Sequence, residues 1–319
     1  MIHQRNDLVR YAAMNWFKAI KMSDQAVLLG IFLMLLGDFM FAANDALGKW
    51  MVASFSVGQV LLLRSVGAFV VLGPMLTTVN ARDFFRPKKP LLIFLRVVCA
   101  TMDTGLFYAA VAYLPLADVV TFYMAGPIYV AAVSHFFLKE RIGWRRWLAI
   151  MIGFVGVIIA LRPSTAMLSW PSVFALLGSV GFSLVIVFSR VLKDTSDTVL
   201  VTWQTFGALV VGLVLTINHW VDPTLTQWGA MALLGIVSCC GHLLIARSLK
   251  LAPASVLAPL QYTLLLWGII FGIIFFNNYP DPYILIGAAI IIVAGLFIFH
   301  RKQVVGSKIH PEDIAKIKQ

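Results

Sequence analysis

Charge is scarce in this chain, and acidic charge scarcer still: 12% of residues are charged, and 14 Asp and Glu stand against 25 Lys and Arg. A soluble domain keeps about a quarter of its residues charged, so the composition excludes an ordinary water-soluble fold. Only three cysteines occur, Cys99, Cys239 and Cys240, and all fall inside apolar runs. That excludes a disulfide framework and a zinc-ligand spacing. The HExxH, GxSxG and P-loop patterns are absent, as is any Asp-rich run. Their absence argues against metalloprotease, esterase, nucleotidase and prenyl-transferase chemistry, so no metal or cofactor is expected. Connectors long enough to hold an inserted soluble domain are missing too.

What the chain has in abundance is apolar sequence, 61% of its 319 residues. Crossing a hydrocarbon layer ~30 Å thick takes about 20 such residues as a helix. Ten runs qualify: 26–48, 57–79, 91–113, 116–138, 145–162, 171–190, 197–217, 227–247, 253–276 and 282–300. The predicted fold is an all-α polytopic membrane protein with ten transmembrane helices. The first run is too long for a signal-peptide core and no small-residue cleavage site precedes it, so it reads as a retained membrane helix. Residues 1–25 form a cytoplasmic N-terminal segment. Within it "LVRYAAMNWFKAIKM" mixes Trp16, Phe17 and Ile20 with Arg10, Lys18 and Lys21, which suits a short helix at headgroup level, a frayed tail being the alternative.

A net charge of +11 would suggest nucleic acid in a soluble protein, but here the placement of the charge decides. With the N-terminus cytoplasmic, 21 of the 25 basic residues fall on the inner side, including the tail at 301–319. Lys49 and Arg162 fall outside, and Arg64 and Arg96 lie within segments. The positive-inside bias therefore predicts both termini in the cytoplasm of a bacterial-type inner membrane. It also removes the nucleic-acid reading, because the basic residues face anionic lipid.

Sliding the chain by about 140 residues brings out a repeat. "LLRSVGAFVVLG" (62–73) lies over "VTWQTFGALVVG" (201–212), with Arg64 over Gln204 and Gly67 over Gly207. "LPLADVV" (114–120) lies over "LAPASVL" (251–257). Two halves of five helices follow, 26–162 and 171–300. An odd number of crossings inverts the second half, which is the inverted-topology repeat common among secondary transporters.

The segments "NDALGKWM", "GQVLLLRS", "FYAAVAYLPLADVV", "FFLKERIGWRRW", "LKLAPASVLAPLQYTLLLW" and "IGAAIIIVAGLFI", in that order and duplicated, resemble the drug/metabolite transporter superfamily, in particular its paired EamA-domain branch. The likeness covers about residues 27–300. It implies an inner-membrane carrier of a small-molecule substrate, with a central cavity between the halves and alternating access. The fourth helix of the first half ends in "LKERIGW" whereas its counterpart reads "FFNNYPDPY", so Glu140 receives no transport role. The family includes amino-acid exporters, carriers of nucleotide-like cofactors such as S-adenosylmethionine, and importers of vitamins such as riboflavin.

Ionisable groups inside membrane helices are costly and turn toward a cavity or each other. Here they are Asp38, Asp45, Arg64, Arg96, Asp103, Asp118, His135 and His242. In "LRVVCATMDTGLF" Arg96 and Asp103 are seven residues apart, which places them on one helix face about 10.5 Å apart. That face must meet a cavity or a polar neighbour, with a structural ion pair as the plain alternative for Arg64, Arg96 and Asp103. Asp118 follows Pro115 as Ser255 follows Pro253, and both suit helix capping. Asp45 is expected to line the cavity or to pair with Lys49 one turn on. Two Arg against four Asp makes Asp38 or Asp103 a candidate proton site. The second half offers Trp203, Gln204, His242, Gln261, Tyr262 and Trp267, an aromatic and amide set suited to a flat polar metabolite. The expected substrate-binding residues are thus Arg64, Arg96, Asp103, Trp203, Gln204, His242, Gln261 and Tyr262, with riboflavin the first compound to try. Gly268 and Gly272 form GxxxG, which suits a close helix contact, a homodimer face being the other use. An intramembrane transferase is the alternative from another class.

Overall fold

A computed structural model describes residues 2–124, 126, 129–130, 133, 143–161, 169–277, 279, 282–283, 285–287, 289–290 and 293–294; its side chains are described from residue 25 on, apart from those at 117–118, 121, 145–146, 149, 157, 160–161, 255 and 259. The expectations for His135, Glu140, Arg162 and the tail lie outside these residues, as do those for the side chains of Asp118 and Ser255.

All regular structure among the described residues is helical. The helices are α1 (Ile2–Val52), α2 (Val57–Leu76), α3 (Pro90–Val111), α4 (Leu116–Tyr123), α5 (Trp144–Leu161), α6 (Trp170–Val191), α7 (Asp197–Thr216), α8 (Leu225–Leu251) and α9 (Thr263–Phe276). Among the described residues six stretches are long and apolar enough to cross a membrane: Gln25–Val52 of α1, and α2, α3, α6, α7 and α8. The first expected segment ends short of the observed one, because α1 is unbroken from Ile2 to Val52. No Pro or Gly precedes Gly30 to interrupt it.

Helix starts follow local chemistry. Ser56 caps α2 by accepting from the Gln59 amide at 3.3 Å, Pro90 occupies the first turn of α3, and Thr224 with Gln227 forms a capping box on α8. The ninth segment is not one helix. A short helix, Ala254–Leu257, passes through a 3-10 turn, Ala258–Tyr262, before α9 begins. Pro259 in that turn removes a backbone donor, so the regular i→i−4 ladder cannot run through.

Packing crosses between the halves. α1 lies along α8, α3 along α6, α2 along both α7 and α8, α3 along α7, α4 along α6 and α9, and α1 along α9. Small residues allow the close approaches: a Cβ on Gly67 would fall 2.7 Å from Ala232 Cα, and one on Gly207 would collide with Val97. Gly268 faces Val120 of α4. On the outside, Phe32, Val70, Phe94, Val214, Ile274 and Phe275 are exposed. Such a surface suits lipid rather than water. Trp50, Tyr113, Trp170, Trp220 and Tyr279, also exposed, ring the end of the bundle where α1 and α3 finish and α6 starts. They form the aromatic belt expected at a membrane interface.

Candidate functional site

Between the halves lies a narrow cavity of about 50 Å³ into which α1, α2, α3, α4, α6, α8 and α9 each send side chains. From α1 come Phe41, Asn44 and Asp45, from α2 Arg64, and from α3 Asp103, Thr104, Phe107 and Tyr108. Tyr123 of α4, Phe182 of α6, His242 of α8, and Val120 and Leu264 complete the lining. A second, smaller chamber of about 10 Å³ shares Arg64, Thr104 and His242 with the first and adds Gln204, Ser65, Ser238 and Cys239.

Arg64 stands where the chambers meet. Its Nη1 donates to the Tyr108 hydroxyl at 2.9 Å and its Nη2 donates to Ser238 Oγ. Tyr108 is completely buried and reaches this place because Gly48 of α1 has no Cβ, which would otherwise overlap the phenol ring. Two of the five guanidinium N–H groups are thereby used. Among the described residues Arg64 makes no ion pair with Asp45 or Asp103. Asp103 instead accepts from the Tyr123 hydroxyl at 2.7 Å, and Asp45 accepts from Asn44 Nδ2 at 3.1 Å. Of the two alternatives for Asp45, the cavity is where it lies. Lys49 donates to the Leu114 carbonyl and sits 5.7 Å over the Phe276 ring.

An aromatic wall joins the charges. Ring centroids follow one another from Phe41 to Phe182 at 5.9 Å, to Tyr123 at 5.9 Å, to Phe107 at 5.4 Å and to Tyr108 at 5.8 Å. His242 abuts its far end, 4.7 Å from Phe41, with Nδ1 and the Ser238 carbonyl oxygen 2.7 Å apart. Aromatic faces with a carboxylate behind them attract cations in a water-poor site.

Of the eight residues expected to bind substrate, four, Arg64, Asp103, Gln204 and His242, line these chambers. The other four do not. Arg96 is 2% exposed and ties three helices together, donating to Ser189 Oγ of α6 at 2.9 Å and to the Leu200 carbonyl of α7 at 3.0 Å. Trp203 stacks on Phe84 and donates to its carbonyl at 3.3 Å, beside the one-turn helix Ala81–Phe85. One residue of helix, about 100°, separates it from Gln204, so the two face different surroundings. Tyr262 donates to the Ile150 carbonyl of α5 at 3.1 Å, and Gln261 is buried in the 3-10 turn. The flat-ring surface expected from Trp203, Gln204, Gln261 and Tyr262 is therefore not a single surface.

Asn44, Phe107, Tyr108, Tyr123 and Phe182 were not expected in the lining. For Phe107 a signal existed: it lies four residues beyond Asp103, on the face that Arg96 and Asp103 define. Tyr123 and Phe182 carry no such mark, because a buried aromatic in a membrane helix reads the same in core and cavity.

A bundle of apolar helices around a charged and aromatic internal cavity defines a membrane-embedded carrier. The chain belongs to the EamA-like transporter family, whose pattern matches residues 28–162 and again 169–300. It transports a small metabolite. Similar proteins include an S-adenosylmethionine uptake transporter of Rickettsia bellii, 27% identical over 88% of this chain and 96% of its relative. A riboflavin transporter of Vibrio cholerae is 26% identical over 84% of this chain and 92% of that protein. A pseudopaline exporter of Pseudomonas aeruginosa is 26% identical over 86% and 97%. A crystal structure 17% identical in sequence superposes with a TM-score of 0.67 over 85% of this chain and 95% of its own. That likeness concerns the fold.

Proposed function

We propose that the substrate is a zwitterionic metabolite carrying a cationic centre and a carboxylate, with S-adenosylmethionine the first compound to test. The observation that carries this reading is the separation of charge within one cavity: Arg64 faces it unpaired with the two carboxylates Asp45 and Asp103, and aromatic rings fill the space between. A carboxylate bound to the free N–H groups of Arg64 leaves a sulfonium or ammonium group to sit against Tyr123, Phe107 and Asp103. The Rickettsia relatives, named for S-adenosylmethionine uptake, supply the compound. Riboflavin becomes the comparison compound, since the aromatic and amide pairs that favoured it lie apart.

The same reading takes the chain as ten helices in two inverted five-helix repeats, 26–162 and 171–300, working by alternating access in a bacterial inner membrane with both termini cytoplasmic. Its support is the pattern of packing. Exchanging each helix with the one five places on turns α1 on α8 into α6 on α3, and turns α2 on α8 into α7 on α3. It likewise turns α1 on α9 into α6 on α4, and α2 on α7 into itself. Each of these contacts is present, as a two-fold relation between halves requires.

Proteoliposomes holding the full chain test the substrate. Labelled S-adenosylmethionine should enter saturably, be competed by unlabelled compound and not by riboflavin, and fail to enter with Arg64→Gln at equal protein content. Uptake equal to that of empty liposomes rejects S-adenosylmethionine.

A further inference from the structure

One buried acid lies outside both chambers. Asp38 of α1 has no exposed surface, and its carboxyl faces the junction of the 3-10 turn with α9. Oδ2 lies 3.1 Å from Thr263 Oγ1, and Oδ1 has no hydrogen-bond partner among the described residues. Thr263 Oγ1 in turn lies 2.8 Å from the Leu260 carbonyl. A threonine hydroxyl has one proton and here meets two oxygens that would both accept it. The shorter contact goes to a carbonyl, which can only accept, so the Thr263 proton belongs there. Even shared between the two oxygens, that proton makes only a weak bond to Oδ2, and the longer contact becomes a full hydrogen bond when the carboxyl donates. A proton on Oδ2 completes the chain from Asp38 to Thr263 to Leu260.

The surroundings favour the neutral acid. α9 has no titratable side chain. In the 3-10 turn Tyr262 is turned to the Ile150 carbonyl, and on α8 His242 lies against Phe41 and the Ser238 carbonyl. Asp45, Arg64 and Asp103 belong to the cavity. Among the described residues no cation pairs with Asp38. Next to it Phe39 packs on Trp267 at 4.8 Å and on Phe271 at 5.8 Å, walling off this junction. Asp103 differs, because the Tyr123 hydroxyl donates to it as to a carboxylate.

We propose that Asp38 holds the proton that couples this carrier to a pH gradient, at a site separate from the substrate cavity. When α1 and the broken ninth segment part toward one side, the carboxylate takes a proton from water there. The neutral acid is buried against Thr263 during the exchange of states. It then returns the proton to water on the other side, and the opposite exchange of states is made with the carboxylate ionised, so that one proton crosses per substrate. Broken helices are a usual place for coupling sites in secondary transporters.

Two measurements test this, and only the second rests on the proposed substrate. In infrared difference spectra of the full-length protein in lipid nanodiscs near neutral pH, wild type should show a protonated-carboxyl band that Asp38→Asn removes and Asp103→Asn keeps. A band unchanged by Asp38→Asn overturns the bound proton. In proteoliposomes with the membrane potential clamped at zero, wild type should accumulate S-adenosylmethionine about tenfold per unit of pH difference, for one proton per substrate. Asp38→Asn should lower that ratio to about one while unlabelled-for-labelled exchange continues. A gradient-driven ratio that survives in Asp38→Asn overturns the coupling role. Should S-adenosylmethionine not be carried at all, the infrared result still decides whether Asp38 binds the proton.

Discussion

Arg64 Nη1 and the Tyr108 hydroxyl meet at 2.9 Å, a bond between adjoining helices of the first repeat that aims the guanidinium at the cavity. Ser238 of α8 holds the other nitrogen. The cation is thus fixed from both halves, and its position depends on how they sit together. Tyr108→Phe removes one holding group and keeps the ring. A hydrogen bond to a charged group contributes about 1.5–3 kcal/mol, so apparent affinity for S-adenosylmethionine should fall roughly tenfold or more. Thermal stability in detergent should fall as well, because the ring still fills the space beside Gly48 but a buried guanidinium N–H loses its acceptor, at about 1–3 kcal/mol. Titration calorimetry on the purified variant checks the first and a melting curve the second.

Arg96 and Asp103 share a face of α3 but meet different partners. Arg96 bonds to α6 and α7, whereas Asp103 lines the cavity beside Tyr123. Arg96→Leu should therefore lower expression and melting temperature, as it removes the buried guanidinium that clips Ser189 of α6 and the Leu200 carbonyl of α7 to α3, a loss of about 1–3 kcal/mol. Protein that survives should bind substrate normally. Asp103→Asn should do the reverse, folding well while binding a cationic substrate about tenfold less tightly, a change of ~1.4 kcal/mol. Parallel melting curves and binding isotherms separate the two, and matching effects from both variants would refute the division of roles.

Apolar runs marked the helices well because lipid demands about 20 such residues per crossing, and α2, α3, α6 and α7 begin within a residue of their expected starts. Their ends were less legible. α8 runs on to Leu251, past the expected 247, because Arg247 and Lys250 at its end pair with Asp197 of α7 at 3.7 and 2.8 Å. That stabilisation comes from another helix and leaves no local trace. The site divides along the same line. Arg64, Asp103 and His242 were legible since their burial in a membrane segment needs a reason. Trp203 was misleading, because an indole serves a cavity or a helix-end contact equally well, and only the position of Phe84 decides between them.

Close packing of the halves yields a prediction about stability. A Cβ on Gly235 of α8 would collide with the Arg64 carbonyl and fall 2.6 Å from the Ala68 amide nitrogen, all of it backbone. Backbone cannot swing aside as a side chain can, so α2 and α8 must separate. Gly235→Ala should destabilise by about 1–3 kcal/mol despite the better helix propensity of alanine. Gly73→Ala, where no atom lies within 4 Å of the new methyl, should be neutral or slightly stabilising. Melting temperatures of the two variants in one detergent make the comparison.

Orientation gives the last prediction. Lys88 sits in the exposed connector between α2 and α3, among four of the basic residues that the positive-inside bias assigns to the cytoplasm. Ala53 sits in the exposed turn after α1, at the other end of the bundle. In a background where Cys99, Cys239 and Cys240 are replaced by serine or alanine, a cysteine at 53 should react in intact cells with a membrane-impermeant maleimide. One at 88 should react only after permeabilisation. The two positions are joined by a single crossing, α2, so they must differ whichever way the chain is inserted. Labelling at 88 but not 53 would invert the orientation, and with it the side from which each state of the cavity opens; labelling at both would mean that α2 does not cross.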